Sequence, residues 1–301
     1  MEPTEFIWMD GKLVPWKDAK IHVVSHTLHY GDGVFEGIRC YETSKGTAIF
    51  KLKEHIDRLY YSAETLKMKI PFSKEEFMNA VKETVKANNL KSGYIRPLII
   101  YGYGKMGVNP EGAPVNCSIS VWPWGKYLGE DAVKIKTSKY CRIHPKSTHM
   151  GAKICGHYVN SILASIEVKD AGYDEALLLD YKGDVAEGPG ENLFIIRNGK
   201  LITPKLGTIL KGITRFSVMQ LAKDNGIEVE EKTLKLDDVY NADEAFFTGT
   251  AAEVTVIGFV DDKKIGQEAP GPITSKLRDL FMDIVHGKNE KYKDWLTYVN
   301  E

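Results

Sequence analysis

Nowhere in this 301-residue chain does an apolar run approach the ~20 residues that a membrane-spanning helix needs, so no membrane partner is expected. Charge of one sign is also missing. Lysine and arginine number 40 against 41 acidic residues, a formal net charge of -1, which gives no electrostatic reason to bind nucleic acid or an anionic surface. Cysteine is scarce. Cys40, Cys117, Cys141 and Cys155 are scattered through the chain and read as reduced thiols in a cytoplasm rather than as a disulfide frame. The start, Met1-Glu2-Pro3-Thr4-Glu5, has no apolar core segment, so no signal peptide is expected. Internal repeats and low-complexity tracts are absent.

What is present is an ordinary globular composition, 43% apolar and 27% charged, in a chain long enough for two domains. Asp10-Gly11 and Asn198-Gly199 each sit between strand-like runs and predict hairpins. Residues 21–42 mix β-branched and aromatic residues with Gly31, Gly33 and Gly37, which predicts strands with close backbone approaches. Ile56, Leu59, Ala63 and Leu66 have helical spacing, with Arg58 off that stripe. Ser73 and Glu76 predict a capping box before a second helix. Tyr94–Tyr101, Asn116–Trp122, Ala176–Leu179 and Glu244–Thr248 read as buried strands, and Thr214–Asp224 as a helix. The turn-rich, charged stretch after Trp124 divides the chain into a first domain, 1–124, a connector, 125–136, and a second domain, 137–301.

Lys153 lies among small residues between Gly151 and Gly156. After it, Tyr158, Ile162, Leu163 and Ile166 fit one face of a helix. A lysine placed so is expected to lose water on folding, and its neutral amine is a nucleophile toward aldehydes. Two other patterns lead nowhere. Gly102–Gly107 matches G-x-G-x-x-G, but the following Val108-Asn109-Pro110-Glu111-Gly112-Ala113-Pro114 cannot open the helix that a dinucleotide site needs. Cys141, His144, His149, Cys155 and His157 match no common zinc spacing, so no metal is expected. Three stretches suit an anion or a ring nitrogen. They are Gly212-Ile213-Thr214 at a helix start, the Gly249-Thr250-Ala251 turn, and Glu187 in a glycine-rich bend.

In order, these stretches resemble the fold-type IV pyridoxal-phosphate enzymes, most closely the branched-chain amino-acid aminotransferases. The likeness runs from Ile7-Trp8 to Trp295. It includes Ser25 to Tyr41, Tyr94-Ile95-Arg96-Pro97, Met106 to Pro110, Pro123-Trp124-Gly125, Glu187 to Phe194, Gly212 to Arg215 and Gly249 to Glu253. The resemblance implies an α+β, two-domain fold. Its smaller N-terminal domain is an α/β sandwich-like layer, and its larger C-terminal, cofactor-binding domain has a β-barrel-like core with surrounding helices.

It also implies pyridoxal 5'-phosphate as cofactor and transfer of an amino group between Leu, Ile or Val and 2-oxoglutarate through a pyridoxamine form. Lys153 is then the Schiff-base lysine and proton shuttle. Glu187 partners the pyridinium nitrogen, and Tyr158 reaches the phenolic oxygen. Arg58, Ile213, Thr214 and Thr250 hold the phosphate. Tyr94 and the N–H groups of Thr250 and Ala251 take the α-carboxylate. Phe35, Gly37, Trp124, Tyr127 and Tyr158 line the side-chain pocket, and Arg96 receives the distal carboxylate of glutamate. Tyr30 and Val108 are expected to come from a neighbouring subunit, in a homodimer or a higher assembly such as a hexamer. Cys155 and His157 depart from the small residues or asparagine of many relatives. The alternatives of the same fold are a D-amino-acid aminotransferase and an aminodeoxychorismate lyase. Outside it, a zinc-stabilised binding module would predict bound metal and no yellow colour, and a nicotinamide oxidoreductase lacks its helix after Gly107.

Overall fold

In the computed structural model, which describes residues 2–125, 128 and 131–300, both Asx-Gly pairs turn the chain as their residue types demand. Asp10 and Gly11 take φ 46° and 95°, and Asn198 and Gly199 take 49° and 76°, the left-handed values of a tight hairpin. Strands β1 (Phe6–Met9) and β2 (Lys12–Pro15) pair across the first turn. Strands β11 (Asn192–Arg197) and β12 (Lys200–Pro204) pair across the second.

Two compact units result. The first takes the chain up to Gly125, then Ala152–His157 and the tail from Asp283; the second takes Lys126–Gly151 and Tyr158–Met282. This differs from a single cut at 125–136, for two physical reasons. The backbone of Lys153–Gly156 pairs with residues 31–35. The tail strand β17 (Leu296–Tyr298) adds to β5 (Gly46–Phe50).

The first unit's sheet runs β17-β5-β4-β6-β7-β1-β2, with β4 at Ile38–Thr43, β6 at Gly93–Tyr101 and β7 at Val115–Trp122; β3 (Val34–Phe35) also pairs with β6. One face packs against α2 (Leu52–Thr65) and α3 (Lys74–Ala87), burying Ile38, Cys40, Leu52, Ile56, Leu59, Phe77, Val81 and Ile95. The capping box at α3 is complete, since Ser73 Oγ accepts the Glu76 N–H at 3.2 Å and Glu76 Oε2 accepts the Ser73 N–H at 2.7 Å. Within 21–42 the expected strands begin later than the composition implied. A short helix, α1 (His26–Tyr30), comes first, closed by Gly31 in the left-handed region.

In the second unit β8 (Val133–Thr137), β9 (Glu175–Leu179), β10 (Val185–Glu187), β11, β14 (Glu244–Gly249) and β15 (Glu253–Val260) close into a ring. The order is β10-β9-β8-β15-β14-β11, with β10 pairing back to β11. This is the β-barrel-like core, filled by Ile135, Leu177, Leu193, Ile195, Phe247 and Ile257. Strands β12, β13 (Val229–Lys232) and β16 (Lys263–Lys264) extend it. The remaining helices are α4 (Tyr158–Asp170), α5 (Ile213–Asp224), α6 (Leu236–Tyr240) and α7 (Pro272–Val285). The fold is α+β. Among the described residues no helix is long and apolar enough to cross a membrane.

In α4 the apolar stripe does not enter the core. Ile162, Leu163 and Ile166 are 53%, 42% and 55% exposed, while Ala164 and Val168 pack on Ala176 and Leu178. Small side chains at i, i+4 let this helix lie close on β9.

Candidate active site

The lysine segment is held by its backbone. Lys153 O accepts the Phe35 N–H at 3.1 Å, and the N–H groups of Cys155 and Gly156 donate to Gly33 O and Gly31 O, each at 2.8 Å. Glycine is needed at the second of these approaches, because a Cβ on Gly31 would stand 3.0 Å from the Gly156 Cα. From α2, Ser62 Oγ accepts the Lys153 N–H at 2.9 Å. The Lys153 ammonium lies 4.8 Å from the Phe35 ring centroid. Burial first, and then the Arg58 charge, bring its pKa down to about 8.

Arg58, expected as a phosphate cation, is tied to Glu36. Its Nε and Nη2 donate to the two carboxylate oxygens at 2.6 and 2.8 Å, and His55 Nδ1 stands 2.7 Å from Oε2. Burial alone would raise the Glu36 pKa, but Arg58 and His55 hold it down to about 2. His55 is itself pushed down by burial, against the pull of Glu36. Sequence reasoning misses Glu36, His55 and Ser62. The only sequence trace of the cluster is the spacing 55, 58, 62, one face of a helix.

Strand alternation composes the next group. The pairs Phe35↔Leu98, Arg39↔Tyr94 and Tyr94↔Trp122 place Phe35, Gly37, Arg39, Tyr94, Arg96 and Trp122 on the sheet face opposite Ile38 and Ile95. The Arg96 guanidinium lies 4.9, 5.3 and 5.8 Å from the Phe35, Tyr94 and Trp122 ring centroids. Its Nε is buried without a hydrogen-bond partner. Tyr94 is wedged beside Trp122 and Trp124 at 5.3 and 5.0 Å. Gly37 has no room for a side chain, because an added Cβ would overlap the Tyr94 hydroxyl and lie 2.8 Å from Cζ.

In the second unit Glu187 is 3% exposed and held by donors on both oxygens. Oε1 accepts Arg142 Nε at 2.7 Å, Oε2 accepts Asn192 Nδ2 at 3.0 Å, and the Leu210 N–H reaches both oxygens at 3.2 and 3.1 Å. Arg142, Asn192 and the Leu210 N–H are all donors, so both carboxylate oxygens are held as acceptors. Arg142 is fixed in turn by Asn160 Oδ1 at 3.1 Å. Arg142 and Asn160 give no sequence signal, whereas Asn192 closes the same Glu187–Asn192 bend. Helix α5 is capped by Gly212 with no side-chain cap bond, which leaves its first N–H groups to receive an anion. Thr214 is therefore not an ordinary N-cap; it lies inside the first turn, 3% exposed. Thr250 and Ala251 form the turn between β14 and β15, where Gly249 pairs with Glu253. Tyr158 opens α4. The first unit offers a desolvated amine; the second, by itself, offers a carboxylate held by donors and uncapped helix N–H groups.

A family model, amino-transferase class IV, matches residues 33–258. The chain belongs to that family. The branched-chain-amino-acid aminotransferase of Pseudomonas aeruginosa is 49% identical over 97% of both chains. A T.th. branched-chain amino acid aminotransferase superposes with TM-score 0.96 in complex with N-(5'-phosphopyridoxyl)-L-glutamate, at 48% identity over 99% of both chains. With pyridoxamine 5'-phosphate the TM-score is 0.97, again at 48% identity, over 100% of both chains.

For this class IV aminotransferase the remaining expectations divide. Tyr30 and Val108 stand 44% and 85% exposed. Tyr127 lies outside the described residues. After Gly102 no helix opens; Gly104 and Gly107 take φ 140° and 108° in a loop. Among the described residues no three His, Cys, Asp or Glu side chains converge as metal ligands. Cys155 is a thiol, its pKa pushed up by burial to about 11.

Proposed function

We propose that this chain is a branched-chain amino-acid aminotransferase that uses pyridoxal 5'-phosphate to move the amino group of Leu, Ile or Val to 2-oxoglutarate. The observation that carries the reading is the Lys153 amine, with its pKa down to about 8, in a chain matched end to end by enzymes of that name. At pH 7 about a tenth of such an amine is neutral, roughly 300-fold more than for a lysine at 10.5. When bound, the cofactor supplies an aldehyde carbon for an amine and a ring that draws electron density from the substrate Cα.

Lys153 Nζ is the nucleophile and then the base that takes and returns the Cα proton. Glu187 would accept a hydrogen bond from the ring N–H, with Arg142, Asn192 and the Leu210 N–H orienting its oxygens. Tyr158 is the hydrogen-bond partner of the phenolic oxygen. The N–H groups of Ile213 and Thr214, the Thr214 hydroxyl and Thr250 bind phosphate, with Arg58 adding charge. Tyr94 and the N–H groups of Thr250 and Ala251 are the candidates for the α-carboxylate. Phe35, Gly37, Trp124, Tyr127 and Tyr158 are assigned to the apolar side chain, and Arg96 to the distal carboxylate of glutamate. An apolar wall separates aliphatic chains weakly, whereas a carboxylate demands a placed cation.

The exposure of Tyr30, Val108 and the Ile162–Ile166 face supports self-association, with Tyr30 and Val108 serving a neighbour. Free thiols at all four cysteines support a reducing compartment, the cytoplasm. Borohydride reduction of the holoenzyme followed by peptide mapping tests the chemistry, and pyridoxyl is expected on Lys153 alone. Spectral half-reactions with L-leucine, L-isoleucine and L-valine test the substrate class. Turnover of D-amino acids only, or of none of these, overturns it. Sedimentation of the active enzyme as a monomer overturns the self-association.

A further inference from the structure

Glu36 has no role in the reading above, yet it ties the Lys153 segment's neighbour Phe35 to helix α2. It lies between Phe35, whose N–H holds the Lys153 carbonyl, and Gly37. It is wholly buried and collects three short contacts from α2, at 2.6 and 2.8 Å from Arg58 and 2.7 Å from His55. The same helix closes the loop. Ser62 Oγ accepts the Lys153 N–H and donates to the Arg58 carbonyl at 2.8 Å. Arg58 is thus fixed at its guanidinium by Glu36 and at its backbone by the hydroxyl that holds the lysine.

A buried ion pair is a poor device for stability, since desolvating both charges offsets their attraction and apolar residues pack as well. Its use lies in the field it makes. The titratable and charged groups whose fields reach the lysine amine are Arg58 and His55 from α2, Tyr94 and Arg96 from β6, Cys155 from the lysine's own segment, and Glu36. The Arg96 guanidinium and the lysine amine lie 4.9 and 4.8 Å from the same Phe35 ring, the Arg58 charge also opposes the ammonium, and Glu36 is the carboxylate that favours it.

We propose that Glu36 is a positioning residue for Lys153: it clamps Arg58 in place beside the lysine and balances that charge with its own. The proposal rests on the transaminase reading only in taking Lys153 as the reacting amine, and its test reads that amine directly. The full-length chain, freed of cofactor, is acetylated with acetic anhydride between pH 6 and 10, and the Lys153 peptide is quantified by mass spectrometry.

For the wild type the labelling midpoint is expected near 8. In Glu36→Gln the attraction that favours the ammonium form is lost. The midpoint falls by about one pH unit, a ~10-fold gain in labelling rate on the acid side. Glu36→Asp, which keeps the charge, returns it toward the wild-type value. Arg58→Gln moves it the other way. A folded Glu36→Gln protein with a wild-type midpoint overturns the proposal, whatever its melting temperature. If Glu36→Gln does not fold, an unchanged midpoint in Arg58→Gln overturns it equally. Borohydride mapping of the holoenzyme separates either failure from failure of the transaminase reading.

Discussion

Gly37→Ala is the smallest change that tests the geometry of the Tyr94 face. An added Cβ overlaps the Tyr94 hydroxyl and lies 2.8 Å from Cζ, so the ring or the strand must shift. The ring has little freedom, because Tyr94 is 7% exposed and lies between Trp122 and Trp124 at 5.3 and 5.0 Å. The strand has little either, since Ile38 is paired with Ile95 and Arg39 with Tyr94. Overpacking of this kind costs about 1–3 kcal/mol. That lowers Tm by about 2–4 °C per kcal/mol in a cooperative unit of 150–250 residues. The displaced hydroxyl is the one assigned to the α-carboxylate, and a shift near 1 Å at a positioning group costs up to ~100-fold in kcat/KM. The clash is largely with one oxygen, so Tyr94→Phe in the Gly37→Ala background should recover part of the lost stability without recovering activity. A double-mutant cycle read by thermal unfolding and steady-state rates measures that coupling. A Gly37→Ala enzyme with wild-type Tm and kcat/KM would refute the packing on which the Tyr94 assignment stands.

Lys153→Ala is expected to abolish transamination and the covalent cofactor link while leaving circular dichroism unchanged; normal turnover would exclude its role. Arg96→Ala removes a cation set against three rings and should impair the glutamate half-reaction far more than the leucine one; equal losses in stopped-flow spectra count against the dual-substrate argument. Glu175 is wholly buried with Oε2 unpartnered, and burial raises its pKa. Below the unfolded carboxyl pKa, near 4.3, both states are protonated and nothing is lost. As pH rises above it, the unfolded chain ionises first and stability falls until the folded pKa is passed. Glu175→Gln should therefore stabilise the protein by about 1 kcal/mol at neutral pH and by less near pH 4, as measured by urea unfolding. Ser73→Ala removes half of a capping box and should cost about 1 kcal/mol by the same measurement.

Local chemistry made much of the fold legible. Asp10-Gly11 and Asn198-Gly199 demand left-handed backbone and nothing else, and Ser73 with Glu76 satisfies its own N–H groups, so each reads without tertiary context. Lys153, Glu187 and the Gly212 helix start were legible as residue types in glycine-lined places. Their partners were not. Arg142 reaches Glu187 across 45 positions and Lys153 rests on Ser62 across 91, separations at which no pattern in one sequence links two residues. The return of Ala152–His157 and of the tail to the first unit has the same origin, since a turn-rich stretch marks where a chain bends and not where it comes back.

Helix α4 shows the limit most clearly. Its periodicity reads correctly as a helix, but the stripe Ile162, Leu163, Ile166 faces outward, while Ser161, Ala164 and Val168 are buried. Spacing reports which side chains gain by leaving water, not which surface receives them. A helix with its bulky apolar face in the core and one with that face turned outward carry the same pattern. The two are told apart by side-chain size on the opposite face. Small residues at 161 and 164, with Val168, let α4 lie close on Ala176 and Leu178, a fit that larger side chains there would prevent. Where a sequence offers one bulky apolar face and one face of small residues, the small face belongs to the sheet.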